Sequence, residues 1–268
     1  MNALPQIQII DLALYCDSTI IIADIHIGYE EALNKQGVLV PRLQFEEIVK
    51  RMEIILGKTG KVERIVINGD LKHEFGTISE QEWRNTLKFL DLLAKHCNEI
   101  ILVKGNHDTV LGPIARKRNI KVVDYYVFKA DIDKRNSDTT ITITGINNKI
   151  NKFIKHRRNK ILVAHGDKIP PNDAFLDVST IIIGHEHPAV SLKDGARVES
   201  FKCFLKGKYQ GKNLIVQPSF NTMTEGTNVL RDNILSPFLK QNLDNFDVYV
   251  VEDKVYEFGK LKGLRRKP

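Results

Sequence analysis

Thr19-Ile20-Ile21-Ile22-Ala23-Asp24-Ile25-His26 is an apolar, β-branched run that stops in a carboxylate and an imidazole one residue apart. A run of this kind reads as a strand buried on both faces. In an extended chain residues i and i+2 point to the same side, so Asp24 and His26 can bind one ion together. Taken alone, the pattern is far more often that of an aspartate capping a turn beside a surface histidine. The same device recurs four times downstream. Residues 64–67 end in Asn68-Gly69-Asp70, and residues 100–103 lead to Gly105-Asn106-His107-Asp108. Residues 161–164 end in His165-Gly166-Asp167, and residues 180–183 end in Gly184-His185-Glu186-His187. Gly69 permits a tight turn that projects Asp70, whose carboxylate can bridge two metals. Five apolar runs that each end in metal-capable side chains are hard to explain as packing.

Between these runs the chain alternates. Helical patterns at 42–56, after Pro41, and at 79–96, where Ser79 and Glu82 suggest a capping box, separate the first three strands. A β-α-β-α-β order implies right-handed crossovers and a largely parallel sheet. A further strand-like run lies at 7–10, and those of the second half, at 139–144, 160–163, 178–183, 213–216 and 246–251, have short links and suggest a mixed or antiparallel sheet. Two packed mixed sheets with helices outside satisfy both halves, giving an α/β (α+β) class with the metal-capable residues at strand C-terminal ends. One domain is expected over residues 1–268, with a motif core at 19–190. Polar, basic or irregular loops are expected at 131–138, 151–160 and 218–237, and the tail from Leu264 to Pro268 is basic.

Composition narrows the chemistry. The longest apolar runs fall far short of the roughly 20 residues a membrane span needs, so no membrane association is expected. The N-terminus lacks the basic start and apolar stretch of a secretory signal, which makes a cytoplasmic protein the default expectation. Cys16, Cys97 and Cys203 are odd in number, far apart and set in apolar stretches, as buried thiols are. Any metal must therefore be held by His, Asp and Asn. That mixed donor set suits two borderline or hard divalent ions, with manganese, iron and zinc the candidates.

Asp24-x-His26, Gly69-Asp70, Gly105-Asn106-His107-Asp108, His165 and Gly184-His185-x-His187 together resemble the ordered motif set of calcineurin-like metallophosphoesterases. The resemblance implies a four-layer α-β-β-α sandwich. It implies that Asp24, His26 and His187 hold one metal, that Asn106, His165 and His185 hold the other, and that Asp70 bridges them. Manganese is the metal it favours. His107 matches the family's non-ligand histidine over the scissile phosphate, with Asp108 orienting its ring. The chain departs from the family where a second Asp often follows the bridging one by three residues: here the order is Asp70-Leu71-Lys72-His73-Glu74-Phe75. This stretch, with Pro218-Ser219-Phe220-Asn221 and Glu225-Gly226-Thr227, is similar to the subgroup called ICC-like or DNA-ligase-associated phosphoesterases.

That narrower resemblance implies a DNA phosphodiesterase or nuclease, with single-stranded DNA as substrate and DNA-repair proteins as possible partners. The net charge of +7 agrees with an anionic partner. Lys72, His73 and Asn106 are candidate substrate contacts. Lys72, Lys104, Lys155, His156, Arg157, Arg158, Lys160, Lys206, Lys208 and Lys212 could form a phosphate-tracking surface or simply a solvated charged face. A phosphatase or cyclic-nucleotide phosphodiesterase for small molecules is the alternative enzyme, and a noncatalytic binding scaffold the alternative from another class.

Overall fold

A computed structural model describes residues 1–76, 78–109, 111–130, 160–194 and 197–265. The strand expected at 139–144, the loop at 131–138 and nearly all of 151–160 lie outside the described residues. Among the rest, two sheets of seven and nine strands account for the architecture.

The first sheet runs in chain order from β1 (Asn2–Leu4) through β2 (Ile7–Ile10), β3 (Ala13–Cys16), β4 (Thr19–Ile22), β5 (Val62–Asn68) and β6 (Cys97–Val103) to β7 (Lys121–Val123). The first three strands form an antiparallel meander, and from β4 onward the pairing is parallel. The second sheet holds β8 (Tyr125–Lys129), β9 (Lys160–Ala164), β10 (Val178–Ile183), β11 (Pro188–Asp194), β12 (Arg197–Tyr209), β13 (Lys212–Val216), β14 (Thr227–Asn228), β15 (Asp247–Val251) and β16 (Val255–Lys260). In it β9, β10 and β13 are mutually parallel, whereas β11, β12, β15 and β16 pair antiparallel. The mixed character expected for this half is therefore present. β12 escaped sequence reading because Lys202, Lys206 and Lys208 interrupt its apolar side, so no continuous run marks it.

Among the described residues, four helices lie in the first half: α1 (Tyr29–Lys35), α2 (Gln44–Thr59), α3 (Glu80–Ala94) and α4 (Gly112–Arg118). The helix expected at 42–56 starts two residues later. Its first backbone N–H, at Gln44, is met by the Glu30 carboxylate at 2.8 Å, a cap from a distant residue that local pattern cannot announce. It runs on to Gly60, whose φ of 70° ends it. α3 begins as the capping signal implied, Ser79 Oγ accepting the Glu82 N–H at 3.1 Å. The Glu82 carboxylate reaches out of the helix to the His73 and Glu74 N–H groups at 2.8 and 3.0 Å.

The main core lies between the sheets, where Ile20, Ile22, Ile65 and Ile67 share one cluster with Ile161, Val163, Ile182, Phe204 and Ile215. Alternate residues of the second sheet, among them Leu162, Ile181, Ile183, Leu205 and Leu214, face the other way into a second cluster with Phe238, Leu243 and Leu261. There the expected outer helical layer is thin. Among the described residues it consists of the turns Asn172–Phe175 and Pro237–Leu239, the short helix Leu261–Arg265 and irregular chain. The three cysteines are buried, as read from their surroundings. No described helix is long and apolar enough to cross a membrane.

Candidate metal centre

β4, β5 and β6 of one sheet and β9 and β10 of the other end at the same edge of the sandwich, and each delivers its polar cluster there. Asp24, His26 and His187 form one group with ligand atoms within 4.8 Å of one another, and Asp70, His165 and His185 form a second. In the first, His187 Nε2 lies 3.4 Å from Asp24 Oδ1 and 3.4 Å from His26 Nε2. In the second, His165 Nε2 lies 3.2 Å from His185 Nδ1 and 2.9 Å from Asn106 Oδ1. Asp70 Oδ2 faces both groups, 3.8 Å from His26 Nε2 and 3.4 Å from His165 Nε2.

The local backbone differs from the extended form assumed for the paired ligands. Asp24, His26, Asp70, His185 and His187 all have left-handed φ, between 49° and 64°. Such residues cost roughly 1–3 kcal/mol each and persist where the surroundings hold them. The i, i+2 pairs thus arise from kinked turns rather than from strand alternation. This is why Asp24 and His26 share a group while His185 and His187 fall into different ones. Close approach also demands glycine. A Cβ at Gly69, whose φ is +81°, would stand 2.1 Å from His165 Nδ1, and one at Gly105 would stand 2.1 Å from Asp70 Oδ1.

The electrostatics favour the ligand forms of His26, Asp24 and Asp70, whereas at His165 a cation has to displace a proton. Burial, reinforced by His187, holds the His26 imidazole down to about 3. Burial alone would raise Asp24 and Asp70, but the neighbouring imidazoles, His187 for the first and His165 for the second, hold both below the usual carboxylate range. Burial also opposes charge on His165, yet Asp70 and Asp24 outweigh it and push that group up to about 9. Asp24 Oδ1 is buried and accepts no hydrogen bond. An ionised oxygen in that state calls for a cation. With His26 neutral, its close approach to His187 Nε2 also suits two nitrogens aimed at one cation rather than at each other. The residues present therefore fit a divalent metal centre.

His107 stands beside it, with Nε2 3.9 Å from Asp70 Oδ2. Its orientation is a correction to the sequence reading. Asp108 does not hold the ring; its carboxylate accepts the N–H groups of Asp70 at 2.8 Å, Gly105 at 3.0 Å and Leu71 at 3.1 Å. Burial and then the charge of Asp70 push Asp108 up to about 7. The His107 ring is oriented instead by the His73 carbonyl, which accepts from Nδ1. That leaves Nε2 free to face a substrate. His73 itself adjoins the centre, its ring 5.4 Å from that of His26, and burial, then His107, lower it to about 4.

Lys72 is a second correction. It is fully buried and its Nζ caps the Glu74 carbonyl, so it offers no charge to a surface substrate. Other members of the expected basic surface point elsewhere. Lys160 and Lys212 begin β9 and β13, whose opposite ends carry or adjoin the site, and Lys208 pairs with Asn213 at that same remote end. Five-residue strands put them on the order of 15 Å from the metal edge. Lys206 is paired to Asp247 at 3.4 Å. Lys104, exposed beside Gly105 and Asn106, is the described member at the metal edge. Lys155, His156, Arg157 and Arg158 lie outside the described residues.

Supporting residues went unread. Gln44 Nε2 donates to the His26 carbonyl and to Asn221 Oδ1, both at 2.9 Å. Glu186, a mere spacer in the motif, is wholly buried and accepts the Leu235 and Ser236 N–H groups at 3.0 and 2.8 Å. Asn221 N–H donates to the Asp24 carbonyl at 3.2 Å, giving the otherwise irregular 218–237 stretch a place against the site. A polar residue inside an otherwise apolar or metal-bearing stretch was the available signal for Glu186; Gln44 had none.

The fold matches that of the Pseudomonas putida nuclease MPE, at 18% identity and a TM-score of 0.53, over 92% of each chain. Weaker likenesses include the Escherichia coli phosphoesterase Yfce, at 13% identity and a TM-score of 0.38 over 91% of this chain and 97% of that one. Zinc-complexed Vps29 from Entamoeba histolytica has 18% identity and a TM-score of 0.36, over 89% of this chain and 96% of that one. No curated protein sequence matches. The sequence model described as calcineurin-like phosphoesterase matches residues 18–197, a span that holds all five strand-end clusters. With the sandwich and a site fit for divalent cations, that match makes this chain a member of the calcineurin-like phosphoesterase family, a metal-dependent hydrolase of phosphoric esters.

Proposed function

We propose that the chain is a dinuclear phosphodiesterase acting on nucleic acid, with single-stranded DNA as the first substrate to examine. Asp24, His26 and His187 would hold one ion, Asn106, His165 and His185 the other, and Asp70 would be shared. The observation that carries the two-ion reading is the Asp70 carboxylate oxygen facing both groups, 3.8 Å from His26 and 3.4 Å from His165. Manganese is the preferred metal, with iron or zinc as alternatives that the donor set also accepts. Bound cations supply charge neutralisation at the phosphoryl oxygens and an activated water.

The protein's own residues do the rest. The ionised Asp24 and Asp70 retain the positive charge at the strand ends. His107, whose Nδ1–H is tied to the His73 carbonyl, would act as the imidazolium, giving its Nε2 proton to the departing oxygen or stabilising the charge developing there. Asp108 keeps the Asp70 and Gly105 turns in register with each other. The net charge of +7, the exposed Lys104 at the metal edge and the shared fold of a nuclease support the nucleic-acid part. DNA-repair partners and a cytoplasmic setting belong to the same proposal.

The test uses metal-stripped protein with manganese restored, given labelled single-stranded DNA and bis(nitrophenyl) phosphate, alongside His107→Ala. Cleavage of both by the parent protein and of neither by the variant is the expected result. Cleavage of the small ester alone would replace nucleic acid by a small phosphorylated substrate, such as a monoester or a cyclic nucleotide.

A further inference from the structure

Phe75 is 55% exposed, yet it stands against His107 with ring centroids 3.7 Å apart and planes tilted by 33°. An isolated exposed apolar side chain is ordinary on a protein surface. This one is on a segment clamped at every step. Lys72, fully buried, gives its Nζ to the Glu74 carbonyl, and the buried Glu82 carboxylate takes the His73 and Glu74 N–H groups at 2.8 and 3.0 Å. The His73 N–H is bonded to the Ile27 carbonyl at 3.1 Å, the His73 carbonyl to His107, and the Phe75 carbonyl accepts from Thr109. His107 also stacks on His73, at 5.4 Å and 30°. The result is a rigid aromatic wall whose outer member stays in water. An aromatic held open and immobile beside a reacting group loses little entropy on receiving a flat partner, and every nucleobase has a face to offer.

We propose that Phe75 is the leaving-group subsite, stacking on the base of the nucleoside that departs with the oxygen served by His107. The proposal rests on the nucleic-acid reading and adds to it which side of the scissile bond is read, and by what. In an in-line displacement the departing oxygen lies opposite the attacking water, so the group attached to it must pass His107 and its outer neighbour. Recognition by stacking is tolerant of base identity, so the subsite favours any nucleobase over none rather than one sequence.

The experiment compares two dinucleotides that differ only in whether the leaving nucleoside carries thymine or is abasic, which leaves the departing alcohol the same. Bis(nitrophenyl) phosphate serves as the activity control. The parent protein is expected to prefer the thymine-bearing dinucleotide in kcat/KM by about 5- to 150-fold, the range that stacking of one base supports. Phe75→Ala should bring that ratio to below about threefold, chiefly through KM, while Phe75→Trp should keep it. A parent enzyme that cleaves both dinucleotides equally overturns the proposal. So does a Phe75→Ala variant that loses both in proportion, since Phe75 would then only position His107. If neither dinucleotide is cleaved while the small ester is, the nucleic-acid reading itself fails and the subsite falls with it.

Discussion

The Asp108 carboxylate accepts the backbone N–H of Asp70 at 2.8 Å, and through the same oxygen the N–H of Gly105 at 3.0 Å. Two loops from adjacent parallel strands are thereby tied to one buried anion, and the shared carboxylate of Asp70 is aimed by it. Asp108→Ala is expected to weaken metal affinity by about 10- to 100-fold. Asp108→Asn should fall in the same direction, because its amide nitrogen must face a backbone donor. Metal titration followed calorimetrically checks this. Intact metal binding with lost turnover would restore Asp108 to the role of a histidine-orienting residue.

His107 contributes no atom to either Asp24 or His165 groups, so its removal should spare the metals. His107→Ala is expected to keep full metal content by elemental analysis while losing roughly a hundred- to ten-thousand-fold in kcat, the range of a positioned acid. Loss of metal along with turnover would count against the assignment.

Asp24 Oδ1 is buried without a hydrogen bond, and Asp70 lies between two imidazole groups. Chelation should therefore destabilise the fold as well as abolish activity. At a metal concentration about a hundredfold above Kd, linkage is worth roughly 2.7 kcal/mol. For a chain of this size that corresponds to a Tm drop on the order of 5–10 °C on chelation. Asp70→Asn should make Tm insensitive to added manganese in differential scanning calorimetry.

His165 titrates at about 9 in the metal-free fold, raised by Asp70 and Asp24 against burial, from an ordinary 6.5. A raised pKa contributes stability that is fully present below pH 6.5 and is lost as pH rises through about 9. Urea unfolding of chelated protein should thus show a decline on the order of 1–3 kcal/mol between pH 6 and 9.5. His165→Asn should flatten it. Because a bound cation must displace that proton, apparent metal affinity should rise across the same interval.

Lys202 is the reverse case. Its Nζ donates to Ser219 Oγ at 2.6 Å, and burial, then the charge of Arg51, lower it to about 7 from 10.5. A lowered lysine pKa costs stability that is fully felt below about pH 7 and is relieved as pH rises toward 10.5. Lys202→Met should therefore stabilise the protein at pH 6.5, by on the order of 1–2 kcal/mol, and by less at pH 9.5. A variant less stable at both pH values would show that the ammonium is better solvated than its burial implies.

Much of the site was legible in the sequence because each candidate ligand follows an apolar run within four residues, and a buried strand announces itself by composition. Asp24, Asp70, Asn106, His165 and His185 could be placed at strand ends without knowing which strands met. The parallel order of β4, β5 and β6 was equally local, since helices separate them in the chain. What the sequence left open were partnerships across 9 to 177 residues. Asp108 serves the Asp70 turn, Glu82 closes the His73 loop, Gln44 joins His26 to Asn221, and Phe75 lies on His107. Lys72 read as a surface cation because lysine is rarely buried, and only packing turned it inward to a carbonyl. Composition and period are properties of neighbours in the chain, so they specify elements and what stands at their ends. Hydrogen-bond partners and ring contacts depend on which ends come together, and that is decided by burying both sheets against one core.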